Sequence, residues 1–431
     1  MPGVKKAKKT EKKRPLVIVG GGPAGMTAAV FAAKHFEDVV LFDKNPEPGK
    51  KLRSISKGNF IISEELSSDK LAKAFGEKEN FVKPALKAFG NKELSAYLSE
   101  IGIKVSSNGS GHLTLPPEIA QEIAPKLNKA AEDAGVTIKK SSKVSDLVIS
   151  KNQVTGIVVN SVEFPASGVI VACGSVASPA RGATDDGYKF AQKAGHEITP
   201  IKSALVGLET VEKYGKYLAD AEFKDCKIEI VWNDKSELKD RGSLRFSEHG
   251  IEGDLVYTYS SRIIEMLAQG RSPGNKIEIH IDMIPDVDKK LLESWVASRL
   301  EQAPKMSIGT LFEDYIPEKL RSVMAKITRV HSDKPVANLS TLERKALLLW
   351  VKDFHVTISR PRPFNETYGV IGGVSIDEIE KETMRSKKVS NLYFAGEVLD
   401  LLGPWGGYNM QMAFSTGHLA GISAAKGLKE K

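Results

Sequence analysis

Cysteine is almost missing from this chain: its 431 residues contain two, Cys173 and Cys226, more than fifty positions apart and in no CxxC pair. A redox-active neighbouring dithiol is thereby excluded, a disulfide-stapled secreted module is not expected, and a reducing, cytoplasmic setting is. Metal signatures are missing too. The eight histidines fall in no HExxH or comparable spacing, so no metal site is expected. Apart from one stretch near the N-terminus, nothing approaches the roughly eighteen consecutive apolar residues of a membrane helix.

A strongly basic body is also absent. The net charge is +8, but residues 1–14, MPGVKKAKKTEKKR, carry six of those eight charges. From Pro15 onward the chain is close to neutral, so 1–14 is read as a basic disordered tail, and no stable nucleic-acid partner is expected. What is present is ordinary globular composition, 41% hydrophobic and 27% charged, in a length that exceeds a single core. Two or three domains are expected.

The stretch near the N-terminus is KKRPLVIVGGGPAGMTAAVFAAK. Its basic start and apolar middle fit the crude outline of an export signal. Three glycines and a proline inside the apolar run argue against a continuous helix, since each disfavours a helix interior by about 1 to 3 kcal/mol. The same residues suit a strand, a phosphate-binding turn and a helix. Gly20 allows the tight turn, Gly22 lets the backbone approach a pyrophosphate, and Gly25 lets a helix over 23–34 pack on the strand. That helix aims its free amides and positive pole at the phosphates.

A second strand over 38–42 then ends in Asp43, 23 residues after Gly20. An acid near that offset accepts hydrogen bonds from the adenosine ribose and repels a 2′-phosphate, which disfavours NADP in this pocket. Residues 144–174 read as a meander, VSDLVIS, VTGIVVN and VEFPASG, leading to a buried strand and Ala172-Cys173-Gly174. Near the C-terminus, NLYFAGE again runs from strand to glycine to carboxylate, and GGYNM opens a helix rich in small residues. Two glycine-led helix starts suit a ligand too long for one loop, as FAD is.

GGGPAG, ACGSVASPARGATDDGYKFAQKAGHEI, GVIGGVSIDEIEKETMRSKKVSNLYFAGEVLD and GGYNMQMAFSTGHLAG together resemble the FAD-dependent oxidoreductase family that includes 3-dehydro-bile-acid Δ4,6-reductase-like and aminoacetone-oxidase-like flavoproteins. The resemblance covers nearly the whole chain. It implies an α/β fold: a Rossmann-like FAD-binding domain of the two-dinucleotide-binding type, with a β-meander and an inserted mixed α+β domain. The FAD-binding parts would be 15–197 and 354–431, and the substrate-side insert 198–353. Within the insert, CKIEIVW and KIEIHIDMI read as strands, and KKLLESWVASRLEQ and LERKALLLWVKDF as helices with Trp295, Leu347 and Trp350 in the core.

The resemblance also assigns roles. Gly20, Gly22 and Gly25, with Pro23 and Ala24 between them, would hold the pyrophosphate, and Asp43 the adenosine ribose. Lys44 and Lys51 would neighbour phosphate or adenosine, and Val144 would meet the adenine edge through its backbone. Ser56 carries over from a flavin-facing loop of the form SGxGxCN, although Phe60-Ile61 replace its Cys-Asn pair. Ala172-Cys173-Gly174 stands for Ala-Thr-Gly, and Val370 and Ile371 make the approach to Gly372-Gly373 less polar than the family's. Gly396 and Glu397 would face the ribityl chain. The amides around Gly407, Tyr408, Asn409 and Met410 would favour the anionic reduced flavin.

No catalytic residue is assigned, although Arg360, Arg362, Trp405 and Tyr408 fall in or beside segments expected near the ring. No second GxGxxG follows a strand, so electrons must come from a transiently docked NAD(P)H or from an oxidisable substrate, with the insert forming one wall of the cavity. The substrate is expected to be a small organic molecule, with no membrane insertion and the oligomeric state open. Reduction of a carbonyl-conjugated alkene and amine oxidation by oxygen are both offered by the resemblance. An RNA-directed flavoenzyme and a non-catalytic flavin-binding regulator are the alternatives of other classes.

Overall fold

A computed structural model describes residues 14–53, 60–269 and 275–430; all of the Lys-rich tail except Arg14, and Ser56, lie outside the described residues. The chain divides into two compact units. One is built from the chain up to Lys202 and again from Val370 onward; the other is Ser203–Gly369.

The first unit centres on a five-stranded parallel sheet in the order Leu392–Phe394, Gly168–Val171, Leu16–Val19, Val39–Phe42, Thr137–Lys139. The first four are runs of apolar residues, LYF, GVIV, LVIV and VVLF, all buried. Unbroken apolar strands are what a parallel sheet covered on both faces requires. Leu16–Val19 lies in the middle, and the chain leaves its carboxyl end through the glycine turn into the helix Pro23–Ala33. Ligands of open α/β sheets bind at such a carboxyl edge, where neighbouring connections depart in opposite directions.

The expected meander is a three-stranded antiparallel sheet, Val144–Ser150, Gln153–Val159 and Val162–Pro165. Its two hairpins turn at Lys151-Asn152 and Asn160-Ser161, all four with positive φ. Two consecutive left-handed residues match the twist of paired strands, and Asn tolerates that region better than most side chains. A further antiparallel sheet joins Phe60–Glu64, His112–Leu115 and Ser106–Ser107.

Around these sheets the 22-residue helix Tyr408–Lys429 packs against Pro23–Ala33. Two glycines set the approach. A Cβ at Gly417 would lie 2.3 Å from the Ala24 carbonyl oxygen, and one at Gly421 would lie 2.4 Å from that of Ala28. Four residues apart, they form one stripe along the long helix, and the backbone of the short helix lies in it.

The second unit contains a closed six-stranded antiparallel barrel in the order Leu208–Thr210, Gly250–Glu252, Lys235–Ser247, Glu222–Trp232, Ile277–Asp282, Phe354–Pro361. CKIEIVW and KIEIHID supply two of these strands, and the helices Lys289–Gln302 and Thr341–Lys352 fall where apolar spacing places them. Leu347 and Trp350 are buried, whereas Trp295 is only partly so, stacked on Phe312. Phe354–Pro361 differs from the sequence-based division, which begins the second FAD-binding part at 354. Phe354, Val356 and Ile358 alternate inward, and this strand pairs with Ile277–Asp282 on one side and Leu208–Thr210 on the other. It closes the barrel. Among the described residues no helix is long and apolar enough to cross a membrane.

The glycine stripe yields a prediction. Gly421→Ala should lower the urea midpoint by the equivalent of about 1–3 kcal/mol, the usual cost of overpacking, because the added methyl meets backbone that cannot rotate away.

Candidate functional site

A cavity opens in the first unit at the carboxyl edge of the parallel sheet, lined by the glycine turn, Asp43, Val144, Ala172–Gly174 and the segments around Glu397 and Met410. The three motif glycines do different work. Gly20 has φ +106°, and a Cβ there would lie 2.5 Å from the Ala172 carbonyl oxygen. At Gly25 it would lie 1.8 Å from the Gly20 oxygen, so the first turn of the helix rests directly on the loop. At Gly22 it would meet nothing within 4 Å. Gly20 and Gly25 therefore serve packing, and Gly22 keeps bare backbone facing the cavity.

Pro23 occupies the first position of the helix, and the first turn contains no acidic side chain. The positive pole is left to whatever enters the cavity. Bare backbone at a helix start whose first turn carries no acid is what a pyrophosphate requires, so the residues present fit FAD.

Asp43 is buried, and both its oxygens accept hydrogen bonds: Oδ2 from the Gly21 amide at 2.7 Å, Oδ1 from the Asn45 amide at 2.7 Å and from Asn45 Nδ2 at 2.9 Å. The carboxylate thus holds the turn in shape while lining the cavity. Lys44 Nζ donates to Thr184 Oγ1 at 2.7 Å and lies 3.8 Å from Asp186. Burial works to raise the Asp186 carboxyl, but the Thr184 hydroxyl and the Lys143 and Lys44 ammonium groups outweigh it and hold the group below the usual carboxylate range. Thr184, Asp186 and Lys143 all line the cavity. The string RGATDDGY, which holds Thr184 and Asp186, contributes to the family resemblance, but nothing in its composition marks individual side chains.

Lys51 and Glu397, 346 positions apart, form an ion pair at 3.2 Å, and Ser175 Oγ donates to the same Glu397 oxygen at 3.3 Å. Both side chains are about one-third exposed, so the pair contributes little to stability, up to about 1 kcal/mol, and serves mainly to fix the two groups on the cavity wall. Gly396, with φ +77°, donates its amide to Thr416 Oγ1 at 2.9 Å, tying this wall to the long helix.

Of the predicted residues in that helix, Asn409 and Met410 line the cavity, while Gly407 and Tyr408 do not. Asn409 Oδ1 accepts from the Gly403 amide at 2.7 Å and its Nδ2 donates to the Gly403 carbonyl at 3.1 Å, fastening the preceding loop. The Gly407 amide donates to Glu64 Oε1 at 2.9 Å. Ala24 lines the cavity with Gly20, Gly22 and Pro23, while Gly25 lies beneath them. Phe60, one of the two residues that depart from the family loop, forms part of the apolar wall. Arg360 and Arg362 are engaged within the second unit, both on Glu209.

Burial pushes the Cys173 thiol up to about 12, with the Asp186 charge adding to it, and burial likewise pushes Cys226 up to about 12. Neither is a nucleophile at neutral pH. At pH 8 a thiol reagent should leave the buried Cys226 unmodified in the folded chain and modify it after unfolding, while Cys173, partly buried on the cavity wall, should react slowly; a fast-reacting Cys226 in the native protein would contradict its burial. Asp43→Ala should weaken FAD binding at least about tenfold, or roughly 1.4 kcal/mol, in a fluorescence titration, because three donors lose their acceptor and the turn loses its brace.

The family model described as HI0933-like protein Rossmann domain matches residues 14–423. The chain is 28% identical over 414 residues, 95% of its length and 98% of the relative's, to the 3-dehydro-bile acid delta(4,6)-reductase of Clostridium scindens. It is also 28% identical over 413 residues, 95% and 98% of the two lengths, to the ribosomal RNA dihydrouridine synthase of Haemophilus influenzae. Among solved structures, the 3-ketosteroid delta1-dehydrogenase of Sterolibacterium denitrificans superposes with a TM-score of 0.53 at 11% identity, covering 96% of this chain and 100% of that one. E. coli quinol fumarate reductase does so with a TM-score of 0.52 at 13% identity, covering 97% and 71%. At such identities these two show the fold alone. With the family match spanning almost the entire length, the chain belongs to the HI0933-like family of FAD-dependent Rossmann-fold oxidoreductases.

Proposed function

We propose that the protein is an FAD-dependent reductase that takes two electrons from a transiently docked NAD(P)H and delivers them to a carbon–carbon double bond conjugated with a carbonyl in a small organic molecule. The observation that supports the reading is the cavity, whose wall combines the bare Gly22 backbone, the Asp43 carboxylate and the Lys51–Glu397 pair, groups suited to phosphates, a ribose and a hydroxyl chain. Two full-length relatives supply the reaction class. The names of a 3-dehydro-bile acid delta(4,6)-reductase and a dihydrouridine synthase both describe adding two hydrogens across a double bond conjugated with a carbonyl.

Bound FAD supplies the electron-transfer chemistry, and the protein supplies position, charge and exclusion of water. Gly22 would present its backbone amide to the phosphates, Asp43 would accept from the ribose, and Glu397, oriented by Lys51 and Ser175, would accept from the ribityl hydroxyls. Phe60, Met410 and Ala413 line the cavity with apolar surface that keeps water from the reacting region. The high thiol pKa of Cys173 keeps it inert beside a redox centre. Both cysteines are free, which suits a cytoplasmic protein.

A second reading keeps the chemistry and changes the substrate to a uracil base in RNA. The dihydrouridine synthases favour it: the Escherichia coli enzyme matches at 27% identity over 93% of this chain and 95% of its own. The Lys-rich segment 1–14 would then act as an electrostatic tether.

Anaerobic titration tests both readings. NADH or NADPH should bleach the flavin, and a conjugated enone should reoxidise it at least about tenfold faster than air does. Reoxidation by a ribosomal RNA transcript instead, lost in high salt or on removing 1–14, would establish the second reading. Bleaching by amines alone, with peroxide released in air, would refute both and indicate an oxidase.

A further inference from the structure

A carboxylate that no motif announces sits at the start of the helix that lines the cavity. Glu64 ends the strand Phe60–Glu64 and is 4% exposed. Its Oε1 accepts from the Gly407 amide at 2.9 Å, and its Oε2 lies 2.6 Å from His112 Nδ1 on the neighbouring strand. The fit is close on every side. A Cβ at Gly406 would lie 2.6 Å from Glu64 Oε1, and one at Gly407 would lie 2.4 Å from the Ser63 backbone. Ser63 Oγ donates to Gln411 Oε1 at 2.6 Å, and Gln411 Nε2 donates to the Phe89 carbonyl at 3.0 Å, so strand and helix are joined by buried hydrogen bonds.

The first amides of a helix have no partner within it, and together they act as a partial positive charge of roughly one-half. In Tyr408–Lys429 that pole is next to the cavity, since Asn409 and Met410 in the first turn line it. A buried carboxylate bonded to the capping residue opposes the pole at short range. Its charge is felt locally: burial first, and then Glu64, push the Tyr408 phenol up from its ordinary range. The helix therefore offers less stabilisation to a second anion than its length suggests.

We infer that Glu64 is a positioning residue that lowers the reduction potential of the bound flavin: it holds the start of the helix in place and partly cancels the positive pole that would otherwise stabilise the charge gained on reduction. This rests on the FAD reading above. A lower potential makes the reduced cofactor a stronger donor, which suits delivery of electrons to an alkene.

The two-electron midpoint potential of the FAD-loaded full chain, equilibrated with redox dyes, is the test. Glu64→Gln keeps an acceptor for the Gly407 amide and removes the charge. The reduced-to-oxidised ratio at fixed potential should rise about tenfold, equivalent to about 30 mV, with circular dichroism and FAD content unchanged. His112→Leu leaves the carboxylate with the helix amide as its remaining partner in this pair and should shift the ratio about threefold the other way. A Glu64→Gln ratio within twofold of wild type, or lower than wild type, overturns the inference while leaving the cofactor reading intact. Should Glu64→Gln fail to retain FAD, His112→Leu decides by the same twofold limit. A wild-type chain that takes up no FAD overturns both.

Discussion

Backbone pressed against backbone at one end of the parallel sheet is the constraint from which the rest of the first unit follows. Gly20 lies on the Ala172 carbonyl, Gly25 on the Gly20 carbonyl, Gly417 on Ala24 and Gly421 on Ala28. No side chain separates strand, turn and the two helices at these points. Contacts this short bring the carboxyl edge of Leu16–Val19, the start of Pro23–Ala33 and the wall around Gly396 into one small volume, and the cavity is what remains between them. Preorganisation of this kind lowers the ordering cost of binding a long, flexible cofactor.

Charge in the cavity is arranged in pairs rather than in one field. Asp43 is satisfied by amides, Asp186 by Thr184 and two lysines, and Glu397 by Lys51 and Ser175. Each carboxylate holds loops together. Each also keeps a cavity-facing oxygen surface on which hydroxyl groups can bond, since a carboxylate has about four acceptor positions. The same groups thus brace the loops and line the cavity.

The sequence made the local half of this architecture legible. The strand, glycine turn and helix from Leu16, the carboxylate at Asp43, the meander and the helices of the second unit follow from periodicity and turn chemistry, which act over a few residues. What sequence left hidden is long-range. Nothing within ten residues of Lys51 indicates Glu397, and nothing near Glu64 indicates Gly407, because these pairs arise when distant segments meet. A glycine-led helix start marks Gly407, Tyr408, Asn409 and Met410 alike as cofactor residues. The structure seats Gly407 on the Ser63 backbone and leaves Asn409 and Met410 on the cavity wall. Alternating residues announce the strand Phe354–Pro361 but not its partners in the barrel.

The cradle joins segments that lie far apart along the chain. Leu16–Val19 pairs with Gly168–Val171, which in turn waits for Leu392–Phe394, and the glycine stripe of the long helix follows only after that. During synthesis the barrel unit has its whole sequence before the cradle does, so a ribosome-bound chain carries an unfinished sheet edge and an uncovered apolar helix until Leu392–Phe394 and the long helix have been made. An unpaired strand edge and an uncovered apolar helix face are the features that favour aggregation of incomplete chains, and the late strand and helix remove both at once.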